Sequence, residues 1–423
     1  MNNIKEIKNE LLNDIYYEID HSSGLKIFVY PKENYSSAYA VFGTKYGSID
    51  TRFRLEGEKD FICVPEGIAH FLEHKLFESE ELDAFARYAK TGASANAYTS
   101  FDKTCYLFSC SGNFRQSLEI LLDFVSNPYF TPETVQKEQG IIGQEIKMCN
   151  DDPGWESLFS LLRAMYHNHP VKIDIAGTAE SISHITADLL YSCYDTFYNP
   201  MNMALAVAGN VTVEQVLSVA DKILKPKASK KIERSFEPEP ETVVQDTITR
   251  KLSVAMPIFA IGYKENIKTP ERTLKEALES AILLDIIAGK TSNLYEELIS
   301  EGLVNTTFDT EYFEGYGYSA HIFTGESTNY EKVRERINGE IMRVKKEGVS
   351  REEFDRIKKK HYGSFIMNFN DIDSIANDLV GEYFSGCGLF ERLSVLESIT
   401  AEDIDARLRN AINIENSSMS VIM

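Results

Sequence analysis

Apolar and polar positions fall along the chain in blocks that read as short strands and medium-length helices. Residues 25–30 and 38–42 are β-branched and aromatic runs separated by a proline-containing polar stretch at 31–35, which predicts two strands and a turn. A helix is expected over 67–77, followed by a strand pair at 93–99 and 104–110 joined through 100–103. Helical spacing of apolar residues returns from 114 to 125 and stops at Asn127-Pro128. Thr131-Pro132 opens the next helix, with Thr as N-cap and Pro at the first helical position. That helix runs to about 148, before Asp151-Asp152-Pro153. Residues 203–207 form a buried strand, Gly209-Asn210 a turn, and 213–224 a further helix.

The pattern then breaks. Pro226, Pro238 and Pro240 lie among Lys, Ser and Glu with no apolar period, so 225–245 reads as an exposed linker. Internal similarity supports a cut there. Ser183-His184-Ile185-Thr186-Ala187-Asp188 recurs loosely as Glu397-Ser398-Ile399-Thr400-Ala401-Glu402, and Thr131-Pro132-Glu133 as Ser350-Arg351-Glu352. The strand beginning at Met203 has a counterpart beginning at Met419. All three matches share an offset near half the chain. The expected fold class is therefore α+β, with two homologous domains, each a mostly antiparallel sheet backed by helices. The domains are 1–224, with the chemistry, and 246–423, without a metal site.

Composition narrows the function. Of 423 residues, 65 are acidic and 44 are Lys or Arg, a net charge of −21. That argues against nucleic acid and against an anionic membrane surface. No apolar run is long enough to span a bilayer, and the first 20 residues lack the apolar core of a signal peptide. The six cysteines show no Cys-x-x-Cys pair and read as free thiols in a reducing, cytoplasmic setting.

The chemistry concentrates at His70-Phe71-Leu72-Glu73-His74. Positions i and i+4 of a helix share a face, so both imidazoles can meet one zinc ion, and Glu73 stands close enough to the metal's water to act as general base. This is the His-x-x-Glu-His order of an inverted zincin. A catalytic zinc needs a third protein ligand. Glu138 and Glu145 lie two helical turns apart on the 131–148 helix, one to ligate and the other to orient or shuttle protons. Gly140 and Gly143 between them are expected to admit a close helix approach.

The segment from Gly67 to His74, followed by Glu138 and Glu145, resembles the pitrilysin/insulinase family of zinc peptidases, to which mitochondrial processing peptidase also belongs. The closest type is the half-length bacterial one, in which two chains pair. The resemblance implies that His70, His74 and Glu145 ligate zinc, that Glu73 is the base and that Glu138 supports it. It implies a chain forming half of a clam-shell chamber for unfolded peptides, closed by a second homologous protomer. Gly92–Thr99 resembles the family's substrate-binding edge strand, with Ala95, Asn96, Ala97 and Tyr98 offering backbone groups to a peptide.

One departure bears on the partner. Where relatives carry an Arg and a Tyr that serve substrate and oxyanion, this chain has Glu301-Gly302-Leu303-Val304-Asn305. A carboxylate repels an oxyanion and Asn is a short donor. The expectation is a catalytic subunit completed by a different homologous chain. The alternatives are a homodimer using Tyr312, Tyr316 or Tyr318, and a non-catalytic peptide-binding homologue. His167-Asn168-His169 carries little weight as a metal pair, and Trp155 reads as a packing anchor under a loop.

Overall fold

The computed structural model describes residues 2–80, 82–228, 230–267, 271 and 273–423. It divides into two compact units, one of Met1–Ile146, Asp174–Ser235 and Ile366–Glu391, the other of Lys147–Ile173, Phe236–Phe365 and Arg392–Met423. One boundary of this division, between Ser235 and Phe236, falls inside the expected linker 225–245, but the division is not linear along the chain. Residues 147–173 from the first half pack in the second unit, and 366–391 from the second half pack in the first.

In the first unit, seven of the described strands form one sheet in the order Asn3–Asn9, Asp14–Asp20, Lys26–Pro31, Met203–Gly209, Ala38–Thr44, Thr104–Cys110, Ser94–Thr99. Only the pairing of Lys26–Pro31 with Met203–Gly209 is parallel. The central strands Ala38–Thr44 and Met203–Gly209 are buried at every position, because helices cover both faces of the sheet. One cover is the amphipathic helix Phe114–Ser126; the other is Ile372–Phe384, contributed by the far half of the chain. Gly43 sits beneath that second helix, where an added Cβ would come within 2.8 Å of Val380 Cγ1. Glycine is needed there for the close approach.

The second unit carries a five-stranded sheet in the order Thr247–Arg250, Ser417–Ile422, Ile258–Lys264, Tyr318–Glu326, Asp309–Gly315. Its one parallel pair is Thr247–Arg250 with Ser417–Ile422. Helix Pro153–Met165, from the first half of the sequence, lies on this sheet. Gly262 admits it: a Cβ there would reach within 2.6 Å of Met165 Sδ. Trp155 belongs to the first turn of this helix, packs on Phe159 and is half-buried.

The repeat read from the sequence corresponds to real elements. Thr186 and Thr400 each cap a helix, Ala187–Phe197 and Ala401–Ala411, and each helix precedes a central strand of its own sheet. The proline-containing segment is more structured than expected. Ile232–Arg234 pairs with Arg52–Leu55, and Arg234 donates to the buried carboxylate of Asp50 at 2.6 Å. Further on, Glu239 accepts the backbone N–H groups of His167, Asn168 and His169 and the ammonium of the buried Lys264. All six cysteines are free. No helix among the described residues is long and apolar enough to cross a membrane.

Candidate metal centre

The motif occupies helix Ile68–Leu76, buried on nearly every side by the core of the first unit. Phe71, Leu72 and Leu76 point into that core, which fixes the helix and leaves His70, Glu73 and His74 along the adjoining face. The second helix is Pro132–Asp151, whose Thr131 hydroxyl accepts the N–H of Thr134 as the sequence predicted. Its buried positions Val135, Glu138, Ile142 and Ile146 form one stripe, and Glu145 stands beside it.

The two helices bring the expected ligands together. His70 Nε2 lies 3.4 Å from Glu145 Oε1, and His74 Nε2 lies 3.4 Å from Glu145 Oε2. One ligand atom from each of the three residues lies within 4.8 Å of the others. A tetrahedral zinc with bonds of about 2.0–2.2 Å separates its ligands by about 3.4 Å, so the donor set suits zinc in chemistry and in spacing. His74 Nδ1 is 3.0 Å from Glu138 Oε1. A proton on Nδ1 meets that carboxylate, which leaves Nε2, the nitrogen facing Glu145, as the one available to a metal.

Electrostatics follow this arrangement. The hydrogen bonds from His70 and then His74 hold the Glu145 carboxyl well below the usual carboxylate range. Burial pulls the His74 imidazole down, but Glu138 and Glu145 outweigh it and push its pKa up to about 10. Burial likewise raises Glu138, and the hydrogen bond from His74 more than reverses that. Glu73 goes the other way. Its burial raises the carboxyl pKa, against the opposing pull of His70 and of a hydrogen bond from Thr99. A carboxylate moved toward neutrality beside a metal site is suited to taking up and releasing a proton.

Gly140 and Gly143 do not serve a close approach; a Cβ at either position would meet nothing within 4 Å. The stretch Ser94–Thr99 is the terminal strand of the sheet; among the described residues its one strand partner is Thr104–Cys110, and no strand pairs with its other edge. Ala95 and Ala97 pack on the core, while the Tyr98 hydroxyl donates to Asn377 on the helix covering the opposite face. Asn96 Oδ1 accepts the N–H of Ala97. Thr99, to which the sequence assigned no role, donates to Glu73 Oε2 at 2.6 Å. The available signal was parity, since a strand residue two beyond Ala97 faces the same helix.

In the second unit, Glu301 pairs with Lys332 and Arg336, and Asn305 donates to Glu326. Tyr312 gives its hydroxyl proton to Glu265 and accepts from Arg407, and Tyr318 is buried. Tyr312 is thus already committed and is not a free donor. His169 uses both ring nitrogens, Nδ1 toward Val171 N–H and Nε2 toward the Tyr316 carbonyl, which leaves no lone pair for a metal.

The family model described as insulinase (peptidase family M16) matches residues 65–179, and the model described as the peptidase M16 inactive domain matches 184–360. An uncharacterized zinc protease of Bacillus subtilis (strain 168), YmfH, is 42% identical over 414 residues, covering 97% of this chain and 96% of that protein. The crystal structure of a putative M16-like peptidase from Alicyclobacillus acidocaldarius superposes with a TM-score of 0.92 at 35% identity, over 100% of this chain and 98% of the other. The fold of pitrilysin is also shared, with a TM-score of 0.75 at 15% identity, and this chain spans 46% of pitrilysin's length while 99% of it is covered. With both family models falling on the regions that build the site and its repeat, the chain belongs to the insulinase family of peptidases, M16.

Proposed function

We propose that this chain is a zinc-dependent endopeptidase that hydrolyses unfolded peptides. The observation that carries this reading is the approach of His70, His74 and Glu145 ligand atoms to within 4.8 Å of one another, beside the buried Glu73. His70, His74 and Glu145 hold the ion. Bound zinc supplies Lewis acidity, acidifying water and polarising a peptide carbonyl. Glu73 takes the proton of the attacking water and passes it to the leaving amine. Glu138 accepts the Nδ1 proton of His74 and keeps Nε2 turned toward Glu145. The free edge at Ala95, Asn96, Ala97 and Tyr98 pairs with substrate backbone as an added strand, which selects extended chains. A net charge of −21 favours basic peptides and opposes nucleic acid and anionic membranes.

The working assembly is a pair of homologous protomers in the cytoplasm, this chain with a different partner. Glu301 and Asn305 support this, because both are engaged within their own unit and neither is a donor suited to an oxyanion. Loss of one such donor costs roughly a hundred- to a thousandfold in turnover. The test is elemental analysis of the purified chain, with an unfolded-peptide assay alone and with homologues from the same cell. One zinc per chain, with cleavage that a partner raises about a hundredfold, is the expected result. Metal-free protein that binds peptide without cutting it overturns the reading in favour of a peptide-binding subunit. Full activity of the isolated chain overturns only the partner.

A further inference from the structure

Glu73 approaches the edge strand through a single hydrogen bond. The Thr99 hydroxyl lies 2.6 Å from Glu73 Oε2 and 3.3 Å from the Thr104 hydroxyl. Thr104 is fully buried and donates its one proton to the Tyr46 carbonyl at 2.9 Å. It has no proton left for Thr99, so Thr99 is the donor, and the carboxylate is the stronger acceptor of the two within reach. Glu73 Oε2 is thereby fixed, and among the described residues no donor reaches Oε1. Thr99 is itself held firmly. It is β-branched, closes the hairpin opposite Thr104, and its backbone belongs to the sheet.

We infer that Thr99 is a positioning residue for Glu73: it pins Oε2, so that Oε1 is the oxygen that receives the proton. This rests on the endopeptidase reading above. It adds that the strand whose free edge pairs with the peptide also sets the rotation of the base. A substrate in register with Ser94–Thr99 is then in register with Glu73, with no loop movement required. A hydroxyl does this and a methyl does not. Without it, the carboxylate rotates about its last torsion and a buried oxygen loses its partner.

The experiment compares Thr99→Val and Thr99→Ser with the unaltered chain, in whichever assembly gives turnover. Thr99→Val should lower kcat roughly ten- to a hundredfold with KM and zinc content unchanged, and Thr99→Ser should restore most of it. A second readout avoids the loaded enzyme. In zinc-stripped protein, thermal melting of Thr99→Val, Glu73→Met and the double variant should be non-additive, with Thr99→Val adding no further shift once Glu73 is gone. Normal kcat in Thr99→Val, equal losses in Val and Ser, or additive melting shifts would each overturn the inference. If no assembly cleaves peptide, the endopeptidase reading fails, and the melting cycle still decides whether Thr99 and Glu73 are coupled.

Discussion

The two sheets share one pairing scheme across five strands: a parallel neighbour, two central strands, then an antiparallel hairpin whose last strand is terminal among the described strands. In both, a helix packs beside that edge strand, Ile68–Leu76 in the first unit and Leu274–Ala288 in the second. The difference lies in how buried charge is matched. In the second unit the Glu265 carboxylate meets the Arg407 guanidinium at 2.9 Å and accepts from the Tyr312 and Ser319 hydroxyls. That carboxylate is matched by a permanent cation. In the first unit Glu73 has a hydroxyl, and Glu145 faces the Nε2 atoms of two imidazoles that could hold a metal. The second unit's cluster is thus closed by Arg, while among the described residues the first unit's cluster has imidazoles in its place and is the side proposed to be reactive.

Breaking the reactive side should have the largest effect. Glu73→Gln should keep zinc and lower kcat by about 10² to 10⁴, measured by elemental analysis and steady-state kinetics. Near-normal turnover would remove Glu73 from its role. On the closed side, Arg407→Ala strands a buried carboxylate and should cost about 3–5 kcal/mol in denaturant unfolding, with zinc content of folded protein unchanged. Replacing Arg407 and Glu265 together by Met and Leu should recover most of that loss; no recovery would mean the pair is not the reason.

The histidines give a third contrast. Burial depresses His169 in the second unit to about 4, while carboxylates raise His74 in the first. For His169, the unfolded chain binds the proton at higher pH than the folded one. Its contribution is therefore fully present above about pH 6.5 and is lost as pH falls toward 4, roughly 3 kcal/mol over that window. Melting between pH 7 and 4 should show the loss, and His169→Gln should flatten it. Smaller still, Glu138→Gln should weaken zinc about ten- to a hundredfold and Glu145→Gln more, read by chelator competition. Equal affinities would undo the choice of third ligand. Least of all, Glu301→Gln, at an exposed ion pair, should leave melting unchanged and confine any effect to assays with a partner.

What the sequence determined by itself was local and periodic. Helical spacing put His70, Glu73 and His74 on one face and Glu138 and Glu145 two turns apart on one helix, and the small-residue run 93–99 was read as a strand, its place at a sheet edge coming from the family resemblance. The repeat was legible because caps and central strands recur in order. The tertiary structure alone decided which sheet each helix covers. An amphipathic face records that a helix is buried, not against what, so the exchange of Pro153–Met165 and Ile372–Phe384 between the halves left no periodic trace. Gly43 and Gly262 were the faint marks of it, meaningful only once Val380 and Met165 are seen above them. Thr99 is the same case at the site. A hydroxyl at a strand end is ordinary in sequence, and only the packing of strand on helix sets it 2.6 Å from Glu73.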